Sequence, residues 1–281
     1  MNKLFPILAL SFVLSQGNYQ ILSTCTNFNN IFKVPEFYES KEYMIFNSSL
    51  PAGVNIFSVT ASSGLLKKLS LKNLYFLTLK NINYGRLRDN ITNYSFGAKE
   101  SLIEISLLKK KVQKQTDIMF SMGYLKSSID IFDSEAIYIS LKSRSEVFKD
   151  DVITFSLDNF GKVINNYHND NIGLPETINI SYTINDKSPF STFLSYKKRL
   201  DFESEILHGT INIKVNQKLD VYISTHSNRS DLFYGDYIQK IIAGTSIGFG
   251  YYSGSNLFNL AIQDLGAAGQ STSISFSKVI L

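Results

Sequence analysis

The clearest regularity in the chain is a two-residue alternation of bulky apolar with small or polar side chains, the period of a β-strand whose two faces meet different media. Near the C-terminus, Ala243, Thr245, Ile247, Phe249 and Tyr251 take one parity, and Gly244, Ser246, Gly248 and Gly250 take the other. Phe258, Leu260 and Ile262 then alternate with Asn259, Ala261 and Gln263, and Ile274 and Phe276 with Ser273, Ser275 and Ser277. Upstream, Ile103, Ile105 and Leu107 oppose Glu104 and Ser106, while Ile118, Phe120, Met122 and Tyr124 oppose Ser121 and Gly123. Ile137, Ile139 and Leu141 oppose Tyr138, Ser140 and Lys142; Ile153, Phe155 and Leu157 oppose Thr154, Ser156 and Asp158. The same pattern predicts strands over 43–47, 53–61, 69–84, 178–182, 190–197, 211–213 and 219–223. Pro51, the charged stretch 86–93, the run Lys109, Lys110 and Lys111, the Asn-rich stretch 161–175 and the stretch 227–239 read as turns and loops.

No helical period of 3.6 competes over any long window. The tally is about fourteen strands, most of about nine to eleven residues, the length a tilted strand needs to cross a bilayer. A soluble sandwich alternates too, with its bulky parity turned inward. Three features favour a barrel. The polar parity is rich in Ser, Asn and Gly, as a watered lumen permits. Tyr84, Tyr124, Tyr182, Tyr196, Tyr251 and Phe276 lie toward strand ends, where aromatic girdles sit. The strands also run to the end of the chain. The expected fold is therefore all-β, a transmembrane antiparallel β-barrel of about fourteen strands over 43–281. Its last strand would pair with the first, near 43–47, leaving no free edge.

Ahead of the barrel, 18–42 reads as a short irregular segment with Pro35 and the charges Glu36, Glu39, Lys41 and Glu42. Residues 1–17 read as a secretory signal peptide: Lys3 precedes an apolar run over 4–14, followed by Ser15, Gln16 and Gly17, with cleavage after Ser15 or Gly17. That run is too short for a membrane helix. Thr24 and the polar residues before Cys25 count against lipid attachment at that cysteine.

Composition adds little. The 28 basic and 24 acidic residues are spread along the 281-residue chain, which gives no reason to expect nucleic-acid binding. A single cysteine excludes an internal disulfide framework. Catalytic chemistry is not expected. His168, His208 and His226 lack the spacing of a zinc site, and no cofactor is implied. Gly248, Gly250 and Gly254 have the wrong spacing for a dinucleotide loop. The charged residues on the polar parity, Glu104, Lys142, Asp158, Lys197, Lys214 and Asp220, form one candidate site, a lumen network that plugs or filters the barrel.

Several short stretches, taken in order, resemble the PorV/PorQ group of outer-membrane proteins, which are related to FadL-type long-chain fatty acid transporters. Leu79 to Gly85 resembles that family's strand ending in an Asn-Tyr-Gly turn. Phe155 to Gly161 resembles its recurring strand end. Leu174, Pro175 and Glu176, then Ser188, Pro189 and Phe190, resemble its Leu-Pro entries into strands, and Ala261 to Gly269 resembles its closing hairpin. The resemblance implies a non-enzymatic barrel in the outer membrane of a Gram-negative bacterium, reached after signal-peptide removal. It further implies contact with outer-membrane lipid and with protein partners of a secretion or attachment complex, as in type IX secretion. The segment 18–42 lacks the family's Asn-Pro-Ala motif and usual hatch length, and Leu281 stands where many barrels end in an aromatic residue. FadL-like transport of hydrophobic small molecules and a soluble exported β-sandwich that binds a partner are the alternative readings.

A barrel is expected to fractionate with detergent-extracted outer membranes and to shift in gel mobility on boiling. Release by osmotic shock without detergent would exclude it.

Overall fold

The computed structural model describes residues 41–63, 73–88, 94–113, 115–148, 151–167, 173–184, 188–200, 205–232 and 235–279. The expected signal peptide and almost all of the expected irregular segment lie outside these residues. Fourteen strands follow in chain order: β1 (Lys41–Ser49), β2 (Asn55–Ser62), β3 (Asn73–Arg88), β4 (Ser95–Gln113), β5 (Thr116–Ile129), β6 (Phe132–Phe148) and β7 (Asp151–Asn165). They continue with β8 (Thr177–Ile184), β9 (Phe190–Arg199), β10 (Glu205–Asn216), β11 (Leu219–His226), β12 (Ser246–Ser253), β13 (Asn256–Asp264) and β14 (Gln270–Val279). Each strand pairs antiparallel with its neighbours in sequence, and β1 pairs with β14, so the sheet is a closed barrel. The expected architecture and strand number hold, as does the closing partner.

Alternation decides which residues face out. A belt of bulky apolar side chains on the outer face can be followed from strand to strand through the register. Ile45 lies opposite Val59, Val59 opposite Leu79, Leu79 opposite Ile103, and Ile105 opposite Met122, which lies opposite Ile139. On the other side Ile211 lies opposite Ile223, Ile223 opposite Ile247, Ile247 opposite Ile262, and Phe249 opposite Leu260, which lies opposite Ile274. Phe276, opposite Ile45, closes the belt, and its ring lies 4.6 Å from that of Phe258 and 5.8 Å from that of Tyr43. These side chains are half-exposed, Ile105 at 56 % and Phe249 at 47 %. A continuous apolar surface of this extent is unsuited to water and suited to hydrocarbon.

Several boundaries differ from the sequence reading. Strands β4 to β7 are 14–19 residues long, well beyond the expected length. Lys109, Lys110 and Lys111 lie within β4 rather than at a turn, because β4 keeps its pairing with β5 as far as Gln113 opposite Thr116. Arg86, Leu87 and Arg88 likewise extend β3. Asn73 is its first described residue, so the expected start at 69 lies outside the described residues.

The largest difference is in β7. The stretch Phe155 to Gly161 is not a strand end but a β-bulge in mid-strand. Leu141 lies opposite Leu157 and Ile139 opposite Phe160, so Ser140 faces two residues, one of them Asn159 at φ 65°. The Ser140 hydroxyl accepts from the Asn159 backbone N–H at 3.0 Å, and the Asn159 side chain donates to the Pro175 carbonyl at 3.1 Å. Two residues on, a Cβ on Gly161 would lie 2.0 Å from the Ile137 carbonyl oxygen, so only glycine fits beside β6. The bulge lets β7 run on to Asn165, through the start of the expected loop.

Connections at the two ends are unequal. At the end where β1 begins and β14 finishes, β10 and β11 are joined through Gln217 and Lys218, and β12 and β13 through Gly254 and Ser255. At the far end, 166–176 separate β7 from β8 and 227–245 separate β11 from β12. The latter stretch, expected to be loop and then strand, contains a 3-10 turn and a short helix, α1 (Tyr237–Ile242).

Replacing Ile105 by Arg should destabilise the barrel by about 2–4 kcal/mol, the cost of a cation near the middle of a lipid-facing strand. Urea titration of the protein folded in lipid vesicles would measure it, and no loss of stability would exclude this face from the bilayer.

Candidate functional site

Polar groups converge along the inner wall, whose side chains come from the parity opposite the apolar belt. The wall is closely packed. Ser48, Leu108, Leu125, Ala136, Ser191 and Ser277 are inaccessible to solvent. Adjacent strands are joined on this face by short side-chain hydrogen bonds between residues in register. Ser48 and Ser273 are 2.8 Å apart, Thr60 and Thr78 3.0 Å, and Ser106 and Ser121 2.8 Å, while Asn259 donates to Ser275 at 2.9 Å. Small hydroxyl side chains at in-register positions satisfy one another without reaching across the barrel.

All six charged residues predicted for the lumen lie on this inward parity, but they form separate patches. On β6 and β7, Lys142 Nζ is 3.5 Å from an Asp158 carboxylate oxygen, and the Ser156 hydroxyl donates to the other oxygen at 2.6 Å. Lys142, Ser156, Asn179 and Lys197 occupy one row across β6 to β9. Asp158 thus sits at the β7 bulge with Lys142 beside it. Glu104 lies in a second row with Gly123 and Tyr138. The Tyr138 ring lies across Gly123, where a Cβ would come within 2.3 Å of it, and its hydroxyl donates to Glu104 at 2.7 Å. The glycine on β5 is what allows the phenol to span from β6 to β4.

The third patch repeats that device. Asp220 accepts from the Tyr222 hydroxyl at 3.3 Å and the Tyr252 hydroxyl at 3.2 Å, and Tyr222 packs over Gly248 and Gly250 of β12. Lys214, opposite Asp220 in the register, is exposed, so it marks the barrel end rather than the packed interior. Alternation placed these carboxylates on the right face. Their tyrosine partners lie on other strands, so no local sequence signal identifies them.

Two further features were not read from the sequence. The inner wall is not uniformly polar: Met44, Phe46, Ile56, Ile82, Leu102, Leu125, Tyr138 and Leu174 form one buried apolar cluster, mostly on β1 to β6 and toward the far end. Leu74, Phe76, Leu108 and Met119 form a smaller one nearer the end where β1 begins. The signal was present, since β3 and β5 carry apolar residues on both parities. Tyr84, expected in an outer girdle, belongs to the larger cluster. It shares the inward parity of Ile82, and its buried hydroxyl donates to Glu100 at 2.9 Å. At the far rim, the exposed Tyr94 hydroxyl donates to Asp130, which holds its phenol above the usual tyrosine range.

The second feature is a pair of histidines. His208 on β10 and His226 on β11 are direct cross-strand neighbours on the inner parity, and the His208 ring meets Phe193 edge-on at 6.3 Å. Their sequence spacing gave no sign of this. Among the described residues no cluster of three His, Cys, Asp or Glu side chains forms a metal centre.

If the lumen charges control passage, replacing Lys142 and Lys214 together by Ala should change the permeability of liposomes carrying the barrel. Removing Lys142 alone should account for most of the change, because only Lys142 pairs with Asp158 in the packed wall. Unchanged permeability would count against a filter. Replacing Gly123 by Ala should displace Tyr138 and cost about 1–3 kcal/mol, the range for leaving a buried polar group unsatisfied.

No protein-family model matches the sequence, and no curated protein matches it. Among solved structures, the Ralstonia pickettii toluene transporter TbuX is similar with a TM-score of 0.54 and 8 % identity, covering 86 % of this chain and 90 % of that one. The Pseudomonas putida toluene transporter TodX gives 0.50 and 9 %, covering 84 % and 87 %. A Pseudomonas aeruginosa FadL homologue gives 0.50 and 8 %, covering 84 % and 88 %. Identities this low carry the fold and nothing finer: the chain has the fold of an outer-membrane β-barrel of the kind these transporters share.

Proposed function

We propose that the protein is a non-enzymatic barrel of the Gram-negative outer membrane that passes small apolar molecules across it. The far end, with its longer connections, is the extracellular one, because outer-membrane barrels keep short turns on the periplasmic side. The observation that carries this reading is the inner apolar cluster. A wall built for hydrophilic solutes has no use for Ile56, Ile82, Leu102 and Leu125 packed together on its inner face near the outer end. That cluster is closed to solvent, so an apolar solute meets it only where the wall parts, and gains there about 25 cal/mol per Å² covered. The close packing of the inner wall favours a gated path over a wide aqueous pore. Similarity of fold to toluene transporters agrees with this reading.

A second reading follows the resemblance to PorV/PorQ proteins, in which the barrel serves protein partners in type IX secretion or surface attachment. Two strand-end tips favour it. Ile131 with Phe132 at the start of β6, and Val147 with Phe148 at its other end, are exposed apolar residues, one pair at each end of the barrel, where protein partners would cover them.

Uptake of labelled toluene by cells with and without the protein tests the first reading. Expression should raise the initial rate. Replacing Leu102 by Asn, within the inner cluster, should abolish most of that gain while heat-modifiable mobility is retained. Equal uptake with and without the protein would reject transport, and co-purification of a stoichiometric partner from gently solubilised membranes would then favour the second reading.

A further inference from the structure

The connection between β11 and β12 carries a six-residue helix, α1, whose N-terminus is closed by a capping box. The Asp236 side chain accepts from the Gln239 backbone N–H at 3.0 Å, and the Gln239 side-chain oxygen accepts from the Asp236 N–H at 3.0 Å. At about 100° per residue, Tyr237, Ile238, Ile241 and Ile242 fall on one side of the helix and Gln239 and Lys240 on the other. In a globular protein such a stripe faces a core. Here none of the helix residues is buried, and Tyr237 and Ile238 are 78 % and 67 % exposed.

The helix is fixed to the barrel wall. The Gly244 N–H donates to the Asp264 carbonyl at 2.9 Å, and the Asp264 N–H donates to the Thr245 carbonyl at 3.0 Å. These bonds lie just beyond the pair Ile247 and Ile262, the last apolar pair of the outward belt on β12 and β13. On the outward parity only Thr245 separates the belt from the helix. The exposed apolar stripe therefore lies next along the chain to a face that already suits hydrocarbon. Its composition fits the boundary layer of a bilayer, with isoleucines to insert and a tyrosine for the headgroup level.

We propose that α1 is an interfacial anchor, lying in the surface of the outer leaflet with Tyr237, Ile238, Ile241 and Ile242 against lipid. It fixes the rim of β12 and β13 at a set depth. The inference rests on the outer-membrane reading above, and its test separates the two. The chain contains no Trp, so a single introduced Trp reports alone. Ile238→Trp places it on the helix, and Phe249→Trp places it in the belt. Each variant is folded into phosphatidylcholine vesicles with plain or acyl-brominated lipid. Both are expected to emit to the blue of indole in water and to lose intensity in brominated lipid, with the belt Trp quenched more strongly. Quenching of the belt Trp alone would overturn the anchor and leave the barrel reading standing. That holds whether the helix Trp emits as in water or is shielded by protein. Quenching of neither would overturn both.

Discussion

Everything in this structure depends on the pairing of β14 with β1. A sheet of this length with an apolar outer face has no stable open form in a membrane, because the backbone groups of an edge strand would find no partner in hydrocarbon. Closure removes the edge. The seam runs from Lys41 opposite Val279 to Ser49 opposite Thr272, with an irregularity only at its start. It is supported on both faces: outside by the rings of Tyr43, Phe258 and Phe276, and inside by the Ser48 to Ser273 hydrogen bond. The residues that make the seam are the first and last of the fold, so the barrel forms only when the whole chain is in register.

With the barrel closed, its interior becomes a second problem, solved differently on its two sides. From β7 to β14 most buried positions of the wall are Ser, Thr and Asn, with Asp220 held by two tyrosines. From β1 to β6 it carries large apolar side chains, with Glu100 and Glu104 each held by a tyrosine. Glycine makes some of these contacts possible. Gly123 and Gly250 leave room for a ring to lie along the sheet and bring a phenol to a carboxylate, a way of covering bare backbone that also orders the polar groups. The β7 bulge performs a comparable function at the centre of the long wall, because it positions Asp158 beside Lys142 and turns the rest of the strand toward the far rim.

These features bear on function by restricting it. A packed inner wall with an apolar cluster toward its far end leaves little room for a wide aqueous channel. The molecule is arranged around two hydrophobic layers, the outward belt and the buried inner cluster, which lie on opposite faces of one sheet.

Alternation in the sequence determined the barrel, its strand number, the outer belt and the inward placement of Glu104, Lys142, Asp158, Lys197, Lys214 and Asp220. All of these follow from a period of two within single strands, which neighbouring residues fix by themselves. Strand ends were misplaced where a polar run such as Lys109 to Lys111 resembled a turn, since pairing with the next strand, not composition, keeps such residues extended. The helix at 237–242 was missed because its first half lay in a stretch read as loop, and six residues are too few for a helical period to stand out. Register and closure were decided by the tertiary structure alone. They set Lys142 beside Asp158, gathered the inner apolar cluster, laid Tyr138 over Gly123 and brought His208 opposite His226. Each of these depends on which residue of one strand meets which residue of another, and that is settled by the whole closed sheet at once.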